Sequence, residues 1–259
     1  MIQLKNAALA SSARKKSVHA LRCLNLTLPE SGLVVLTGAS GSGKTALLHL
    51  LAMRETPSRG EMLVGGENTA RWSEARRAAW RRECAVADEA LFFDDLTLSE
   101  NAERAALLAG FSRRDARENA REALALLGLE GAADVYPNRL SGEERRLGAL
   151  ACALARKSRV LFLDEPVDGL GAESAETVLS LLGEASGNQL VIIAARNAEA
   201  FGESARVITL QEGQIASDTD EDAAETGAPV PPIAGAGGGV RLRMAFANLK
   251  KKKSRALPR

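Results

Sequence analysis

The eight residues from Gly38 to Thr45 constrain the fold of this chain more than any other segment. They read GASGSGKT and match the pattern G-x-x-x-x-G-K-[ST], whose glycines let backbone N–H groups curl around phosphates. The motif stands between a predicted strand, Leu33–Leu36, and a predicted helix whose positive N-terminal end attracts anions. The pattern therefore predicts a nucleotide phosphate site formed by Gly38, Ala39, Ser40, Gly41, Ser42, Gly43, Lys44 and Thr45.

A second motif, 120 residues after Lys44, supplies two adjacent acids. Four apolar residues, Val160–Leu163, lead directly into Asp164 and Glu165, as expected for a buried strand that ends at a site. We expect Lys44 to reach the β- and γ-phosphates of a nucleotide, with Thr45 and Asp164 coordinating Mg²⁺. Glu165 is then placed to orient and deprotonate the attacking water. The two motifs predict a nucleotide and Mg²⁺ as ligands and Glu165 as a catalytic base, but the phosphate motif alone does not separate kinases, GTPases and transport ATPases.

Strand-like and helix-like patterns alternate from residue 1 to about residue 217, which predicts an α/β domain over residues 1–217. The apolar runs Val160–Leu163 and Leu190–Ile193 lie between helical patterns, as in a parallel sheet that is covered on both faces. Residues 89–150 differ, because they are rich in Ala, Leu, Glu and Arg. We predict that they form an inserted helical subdomain, with Ser99 and Ser112 as N-caps and Gly110 and Gly128 as helix ends.

A third motif, Leu140-Ser141-Gly142, opens a predicted helix. Ser141 and Glu144 are spaced as a capping box, which by itself is a purely structural feature. However, a helix that begins LSG 23 residues before Asp164, followed by an LDEP strand, resembles the ATP-binding cassette (ABC) superfamily of transporters. The resemblance covers residues 1 to about 217.

This resemblance implies a P-loop NTPase core with a mostly parallel sheet, an N-terminal antiparallel β subdomain and the inserted helical subdomain. It also implies an ATPase that powers a membrane permease, either separate or fused C-terminally, at the cytoplasmic face of the membrane. Such cassettes work as dimers, in which Ser141 and Gly142 would contact the γ-phosphate of ATP on the opposite subunit. Both a homodimer and a heterodimer with another cassette remain open. Nucleic-acid partners are not expected, since cassettes that act on DNA carry long coiled-coil insertions and the 120-residue spacing leaves no room for one.

Several positions depart from the family pattern. No aromatic side chain precedes Trp72, so the residue that stacks on adenine in the family is missing. No Gln lies between Gln3 and Gln189, and Asp88 stands at the position of the family's glutamine, where it could still ligate Mg²⁺. Arg196 replaces the switch histidine, and its guanidinium can hold a γ-phosphate but cannot shuttle a proton. We therefore count Asp88 as a candidate metal ligand and Arg196 as a candidate catalytic residue.

Two further departures concern glycine and acid positions. Gly171 stands where the family has an aspartate. In the family the LSG motif is followed by a second glycine, and here Glu143 stands at that position. A carboxylate about 4 Å from a phosphate oxygen would cost about 4 kcal/mol at an effective dielectric of roughly 20, so we expect Glu143 to turn toward Arg145, Arg146 or a partner subunit. The departures predict a cassette that binds MgATP but hydrolyses it slowly. The alternative is a regulatory subunit with little or no turnover, paired with an intact cassette.

The C-terminal part has a different composition. Residues 218–239 are acidic and then almost entirely Gly, Ala and Pro, which predicts a flexible linker. Residues 240–259 carry eight Lys and Arg and no acid, whereas residues 1–239 hold 26 bases and 33 acids. This basic segment predicts an amphipathic helix on an anionic membrane surface, similar to the helix before the first span of macrolide-exporter and lipoprotein-release permeases. A solvated tail is the alternative.

Two absences from the sequence shape the remaining expectations. No apolar run approaches the roughly 18–20 residues that span a bilayer, and the N-terminus has no apolar signal-peptide core, which predicts a domain in the cytoplasm.

Cys23, Cys84 and Cys152 lie far apart inside apolar stretches. We predict buried core thiols rather than a metal site or a disulfide.

Overall fold

The computed structural model describes residues 1–11 and 18–220, which fold around two β-sheets. The predicted linker from residue 221 onward and the predicted basic helix 240–259 lie outside these residues. The strands are β1 (Ile2–Ser11), β2 (Val18–Leu28), β3 (Gly32–Thr37), β4 (Arg59–Val64), β5 (Glu67–Asn68), β6 (Cys84–Ala87), β7 (Val160–Asp164), β8 (Leu190–Ala194), β9 (Arg206–Gln211) and β10 (Gln214–Asp218). The α-helices are α1 (Lys44–Leu51), α2 (Glu74–Glu83), α3 (Leu98–Leu108), α4 (Arg113–Leu126), α5 (Gly142–Ala155) and α6 (Ala172–Ser186).

The larger sheet has six strands in the order β10-β9-β3-β8-β7-β6. Its strands are parallel except for β10, which pairs antiparallel with β9. Within it β8 lies between β3 and β7, so that Ile192 is in register with Val34 on one side and Phe162 on the other. The carboxyl ends of these three strands therefore meet at one edge, which is where ligands bind in open α/β sheets.

Alternation along the central strands builds one core on each face of this sheet. In β7, Val160 and Phe162 enter one core, whereas Leu161 and Leu163 enter the other. Successive residues of a strand point to opposite faces, so an unbroken apolar run is what a strand covered on both sides requires. The predicted parallel sheet is confirmed.

The smaller sheet is antiparallel, with the order β2-β1-β4-β5. Its apolar residues, such as Leu4 and Leu26, share a core with Leu47 and Leu51 of α1. Because Val34 and Phe162 of the larger sheet enter the same core, α1 packs between the two sheets. An N-terminal antiparallel β subdomain and a mostly parallel P-loop core are thus both present.

Helices α3, α4 and α5 form the inserted helical subdomain, with α4 and α5 both packed on α3. Ser112 caps α4 as predicted, since its hydroxyl accepts from the N–H of Asp115 at 3.2 Å. Gly110 and Gly128 follow the ends of α3 and α4, also as predicted. Helix α5 runs to Ala155, because Ala151, Ala153 and Leu154 keep it in the core.

The prediction that Ser99 caps α3 was wrong. Thr97 is the N-cap: its hydroxyl accepts from the N–H of Glu100 at 3.3 Å, and the Glu100 carboxylate accepts from the N–H of Thr97 at 2.8 Å. The spacing T-x-x-E at 97–100 allows this reciprocal capping box, and Ser99 has no acid or amide three residues later.

The prediction of buried cysteines was correct for Cys84 but wrong for Cys23, which is exposed. Pairing between β1 and β2 shifts register between Leu21 and Leu24, and Cys23 has a φ of 47° there. This irregularity turns the side chain out of the apolar alternation. Cys152 is half-buried. None of the helices in the described part of the chain is long and apolar enough to cross a membrane.

Candidate functional site

The candidate site lies at the carboxyl ends of β3, β7 and β8, where the topology brings separate sequence motifs together. The phosphate motif follows β3, Glu165 follows β7 and Arg196 follows β8. A cavity of about 390 Å³ opens here, lined among others by Thr45, Asp164 and Glu165. Residues more than 100 positions apart in the sequence thus share one site.

Lys44 is the most distinctive group of the phosphate motif, because its side chain is only 8% exposed. Its ammonium donates to the carbonyl oxygens of Gly38 at 2.7 Å and Ala39 at 3.1 Å, and it has no carboxylate partner among the described residues. The hydroxyl of Ser42 is also buried and has no hydrogen-bond partner in the described structure. A buried cation and a buried, unpaired hydroxyl within one eight-residue motif favour a bound anion such as a phosphate.

The backbone at the start of α1 depends on glycine. Gly43 has a φ of 109°, and a Cβ there would lie 2.8 Å from the carbonyl oxygen of Ala20. The glycine therefore lets α1 begin directly behind the motif, so that the N-terminal N–H groups of this helix face the proposed phosphate position.

Thr45 and Asp164 meet directly: the Thr45 hydroxyl donates to Oδ2 of Asp164 at 2.7 Å. A hydroxyl and a carboxylate are oxygen ligands of the kind that Mg²⁺ takes. The described residues contain no cluster of three or more His, Cys, Asp or Glu that could hold a metal alone. These two side chains fit an ion that shares its remaining positions with substrate phosphates and water, which is how Mg²⁺ is usually bound.

Glu165 adopts a left-handed backbone conformation, with a φ of 46°. Its N–H donates to the carbonyl oxygen of Ala194 at 2.8 Å, which fixes this conformation against β8. A non-glycine residue in this region is strained by about 1–3 kcal/mol, and such strain concentrates at functional sites. The backbone therefore directs the Glu165 carboxylate from the end of β7 toward the cavity.

Arg196 contacts both Glu165 and Asp168. Its Nε and Nη2 donate to the two carboxylate oxygens of Glu165 at 3.4 Å each, and Nη2 also lies 3.1 Å from Oδ2 of Asp168. The hydrogen bond with Glu165 and the charges of Asp168 and Glu165 raise the pKa of Arg196 above its usual value. Position 196 thus carries a permanent positive charge beside the candidate base.

Asp88 lines the same cavity but is already paired. Its Oδ2 accepts from Arg54 at 2.9 Å and its Oδ1 accepts from the N–H of Ala90 at 3.0 Å. Partial burial disfavours its charged form, but the hydrogen bonds from Arg54 and Ala90 and the charge of Arg54 outweigh this and lower the pKa of Asp88. As a ligand of Mg²⁺, Asp88 would have to leave Arg54, and this role stays a prediction.

Ser141 caps α5 through the predicted capping box, and Gly142 begins the helix. The N–H and hydroxyl of Ser141 donate to Glu144 at 2.8 and 2.7 Å, and these bonds lower the pKa of Glu144. Neither Ser141 nor Gly142 is hydrogen-bonded to the phosphate motif of its own chain in the described structure. Contact of Ser141 and Gly142 with nucleotide on another subunit stays a prediction.

The sequence led us to expect that Glu143 turns toward Arg145, Arg146 or a partner subunit, and within the chain it turns toward neither arginine. Its carboxylate accepts from the N–H of Gly171 at 3.3 Å, whereas both arginines pair with Glu89, at 3.1 and 3.8 Å. Arg145 is two residues from Glu143 and so lies on a different face of the helix. Arg146, three residues from Glu143, shares its face, but it donates to the carbonyl oxygen of Asp168 in the same 168–171 segment that Glu143 contacts.

Sequence reasoning missed two site residues, Asp168 and Arg54. Asp168 stands three residues after Glu165 in a turn closed by the Asp168 N–H and the Glu165 carbonyl at 3.1 Å, so its spacing was a usable signal. Arg54 follows α1 and has no spacing relationship to Asp88, so nothing in the sequence pointed to that pair.

Comparison with known proteins agrees with this geometry. A family model described as "ABC transporter" matches residues 21–168. The chain is 36% identical over 195 residues to the lipoprotein-releasing system ATP-binding protein of Granulibacter bethesdensis, which covers 74% of this chain and 85% of that protein. It is 31% identical over 222 residues to the macrolide export ATP-binding/permease protein of Photorhabdus laumondii, covering 85% of this chain but only 34% of that relative.

The fold is also similar to that of a solved ATP-binding cassette. A dimeric cassette in a post-hydrolysis state, bound to ADP and phosphate, superimposes with a TM-score of 0.77 and 26% sequence identity. The match covers 84% of this chain and 97% of the solved one. The resemblance inferred from the motifs is therefore confirmed by both sequence and fold.

Proposed function

This chain belongs to the ABC transporter family as an ATP-binding cassette, and from that premise we propose that it binds and hydrolyses MgATP to drive a membrane permease. The observation that carries the proposal is the hydrogen bond between Thr45 and Asp164 at 2.7 Å, with Glu165 as the next residue. It joins the phosphate motif to the acidic motif, so that a nucleotide held by one is presented to the other.

The buried state of the phosphate motif supports ATP binding. On nucleotide binding, the Lys44 ammonium would exchange its two carbonyl acceptors for phosphate oxygens. The Ser42 hydroxyl, which has no partner in the described structure, would gain a phosphate oxygen as its acceptor. Thr45 and Asp164 would hold Mg²⁺, which when bound neutralises charge on the β- and γ-phosphates. A phosphate oxygen is a stronger partner for an ammonium group than a carbonyl oxygen, so the site favours the nucleotide.

The contacts of Glu165 support hydrolysis, but slow hydrolysis. Its carboxylate reaches the site as a general base requires, yet both of its oxygens accept from Arg196. These two hydrogen bonds occupy the oxygens that would accept the proton of the attacking water, and Arg196 cannot pass a proton on as a histidine can. A nucleotide γ-phosphate would compete for Arg196 and free Glu165. The regulatory alternative, with no turnover, would follow if Arg196 never leaves the carboxylate.

Equilibrium binding and phosphate release, measured together, test the proposal. Wild-type protein is expected to bind MgATP and release phosphate slowly. Lys44→Met should weaken ATP binding at least tenfold, since it removes one charge-assisted contact worth about 1.5–3 kcal/mol. Unchanged ATP affinity in this variant would contradict the phosphate site. Normal affinity without any phosphate release would favour the regulatory alternative.

An apolar groove beside the helical subdomain is evidence for a protein-binding site there. A cavity of about 430 Å³ is rimmed by Leu91, Phe93 and Leu108, whose exposed fractions are 54, 42 and 57%. Exposed apolar side chains clustered around a groove mark a contact site. The relative from Photorhabdus laumondii is by its name both an ATP-binding protein and a permease. We assign the groove to a permease segment, and we propose that the cassette dimerises as the solved one does.

A permease partner would place the cassette at the cytoplasmic face of the membrane. Residues 240–259, with their eight basic residues, would add contact with anionic lipid. Deleting these residues should reduce sedimentation of the chain with vesicles containing an anionic phospholipid. Unchanged sedimentation would remove this membrane contact from the proposal.

A further inference from the structure

The segment from Asp168 to Gly171 is held from two sides by the first turns of α5. Arg146 donates through Nη1 to the carbonyl oxygen of Asp168. Glu143 accepts from the N–H of Gly171 at 3.3 Å. One helix end is thus attached to both ends of a four-residue segment that connects the candidate base to α6.

A glycine in this segment leaves room for Arg146. Gly169 has a φ of 71°, and a Cβ at this position would collide with the Arg146 guanidinium. Arg145, on the same turn, shares Glu89 with Arg146, at 3.1 and 3.8 Å, and donates to the carbonyl oxygen of Pro137. It makes no hydrogen bond to the 168–171 segment in the described structure. Contact with the segment therefore belongs to Arg146 and not to the positive charge of this turn in general.

The side chain of Asp168 continues the connection to the site. Nη2 of Arg196 lies 3.1 Å from Asp168 and 3.4 Å from Glu165, so the two carboxylates share one donor group. When Asp168 is held close to Arg196, it draws the Arg196 guanidinium away from Glu165. Because Arg146 fixes Asp168 by its backbone, Arg146 influences how strongly Glu165 is paired without touching it.

We propose that Arg146 is a positioning residue for Glu165, acting through Asp168 and Arg196. This rests on the proposed role of Glu165 as the base. Fixed by Arg146, Asp168 competes with Glu165 for Arg196 and leaves the base partly free. Movement of the first turns of α5 relaxes that competition. The start of α5, where Ser141 would meet nucleotide on the partner, is thereby linked to the base of its own chain.

Kinetics of the full chain test the proposal. Arg146→Met should lower kcat about fivefold, because Arg196 then closes on Glu165, and should leave the ATP dissociation constant unchanged. Arg146→Lys, which can still donate to the Asp168 carbonyl, should restore part of the loss. In an Arg196→Ala background, Arg146→Met should change kcat less than about twofold, since the side chain through which Arg146 acts on Glu165 is then absent. Equal effects in both backgrounds would overturn the proposal.

Amide hydrogen exchange gives a readout that does not need turnover. Arg146→Met should speed exchange of the N–H groups of Asp168 and Leu170, whose acceptors are Glu165 and Val167 in the same turn. The matched control Arg145→Met should not. If wild-type protein releases no phosphate, the proposed function fails, whereas unchanged exchange in Arg146→Met overturns the positioning role whatever the turnover.

Discussion

Arg196 donates to both carboxylate oxygens of Glu165, at 3.4 Å each, so the candidate general base of this cassette faces a permanent cation. Arg196 is 75% exposed, so the pair is free to open. An exposed ion pair contributes little to stability but still decides which partner the carboxylate has when no nucleotide is present. Slow turnover follows if opening this pair must precede deprotonation of water.

Replacing Arg196 with histidine should therefore accelerate hydrolysis. We expect Arg196→His to raise kcat about tenfold at pH 8, because a neutral imidazole leaves Glu165 unpaired and can carry a proton. Below about pH 6.5 the histidine becomes charged and the gain should shrink. Arg196→Lys keeps the cation and should stay slow. A kcat that is the same in wild type and Arg196→His, measured by steady-state phosphate release, would contradict this account.

Gly169 should be intolerant of a side chain. Gly169→Ala is expected to lower the free energy of unfolding by about 1–2 kcal/mol, because alanine is strained at a φ of 71° and its Cβ displaces Arg146. Urea denaturation measures this change. The control is Gly183→Ala within α6, where a Cβ meets no atom within 4 Å. It should raise stability by about 0.5–1 kcal/mol. Destabilisation by both substitutions would argue against the specific fit at Gly169.

The three thiols should differ in reactivity. Burial raises the pKa of the Cys152 thiol to about 12 and also raises that of Cys84, so both lack the reactive thiolate at neutral pH. Cys23 is exposed. An aromatic disulfide reagent should label one thiol rapidly in native protein and all three after unfolding. Native Cys23→Ser protein should show no rapid labelling phase. A rapid phase that persists in this variant would contradict the burial of the Cys84 and Cys152 thiols.

Arg206 and Asp218 should make stability depend on pH. Both are 10% exposed, and Arg206 donates to the two oxygens of Asp218 at 2.8 and 2.6 Å. Partial burial opposes ionisation, but the Arg206 bonds and the Asp220 N–H lower the pKa of Asp218. Asp218→Asn should therefore cost about 2 kcal/mol of unfolding free energy at pH 7.

The sign of the dependence follows from that lowered pKa. The Asp218 contribution is complete above the unfolded-state pKa of about 3.9 and is lost as pH falls through the folded-state pKa. The gap between wild type and Asp218→Asn should narrow accordingly in urea titrations from pH 7 to pH 3. Glu67→Gln, which breaks an exposed pair with Arg76, should change stability by less than about 0.5 kcal/mol. A gap that is constant with pH would contradict the assignment.

Much of the fold follows from local patterns in the sequence. The apolar runs before Gly38 and Asp164 predicted buried parallel strands, and parallel strands bring their carboxyl ends to one edge. The meeting of Thr45 and Asp164 follows from that rule. Ser112 and Ser141 were predictable as caps because their partners lie three residues away.

The remaining features depend on tertiary packing between segments that no spacing connects. Glu143 bonds to Gly171, 28 residues later, because α5 packs beside the segment before α6. Arg54 reaches Asp88 because α1 ends near the end of β6, which a sequence pattern does not encode. Cys23 is exposed through a local change of strand register, and register irregularities are set by the paired strand.

Phosphate release in a single turnover, with protein in excess over MgATP, tests the central claim most directly. Wild-type protein is expected to release phosphate slowly but measurably. Glu165→Gln, which keeps the shape of the side chain but cannot accept a proton, should bind ATP equally well and release phosphate at least about 100-fold more slowly. Equal, measurable rates in the two proteins would contradict the assignment of Glu165 as the base, and no release from the wild-type protein would contradict the assignment of this cassette as an ATPase.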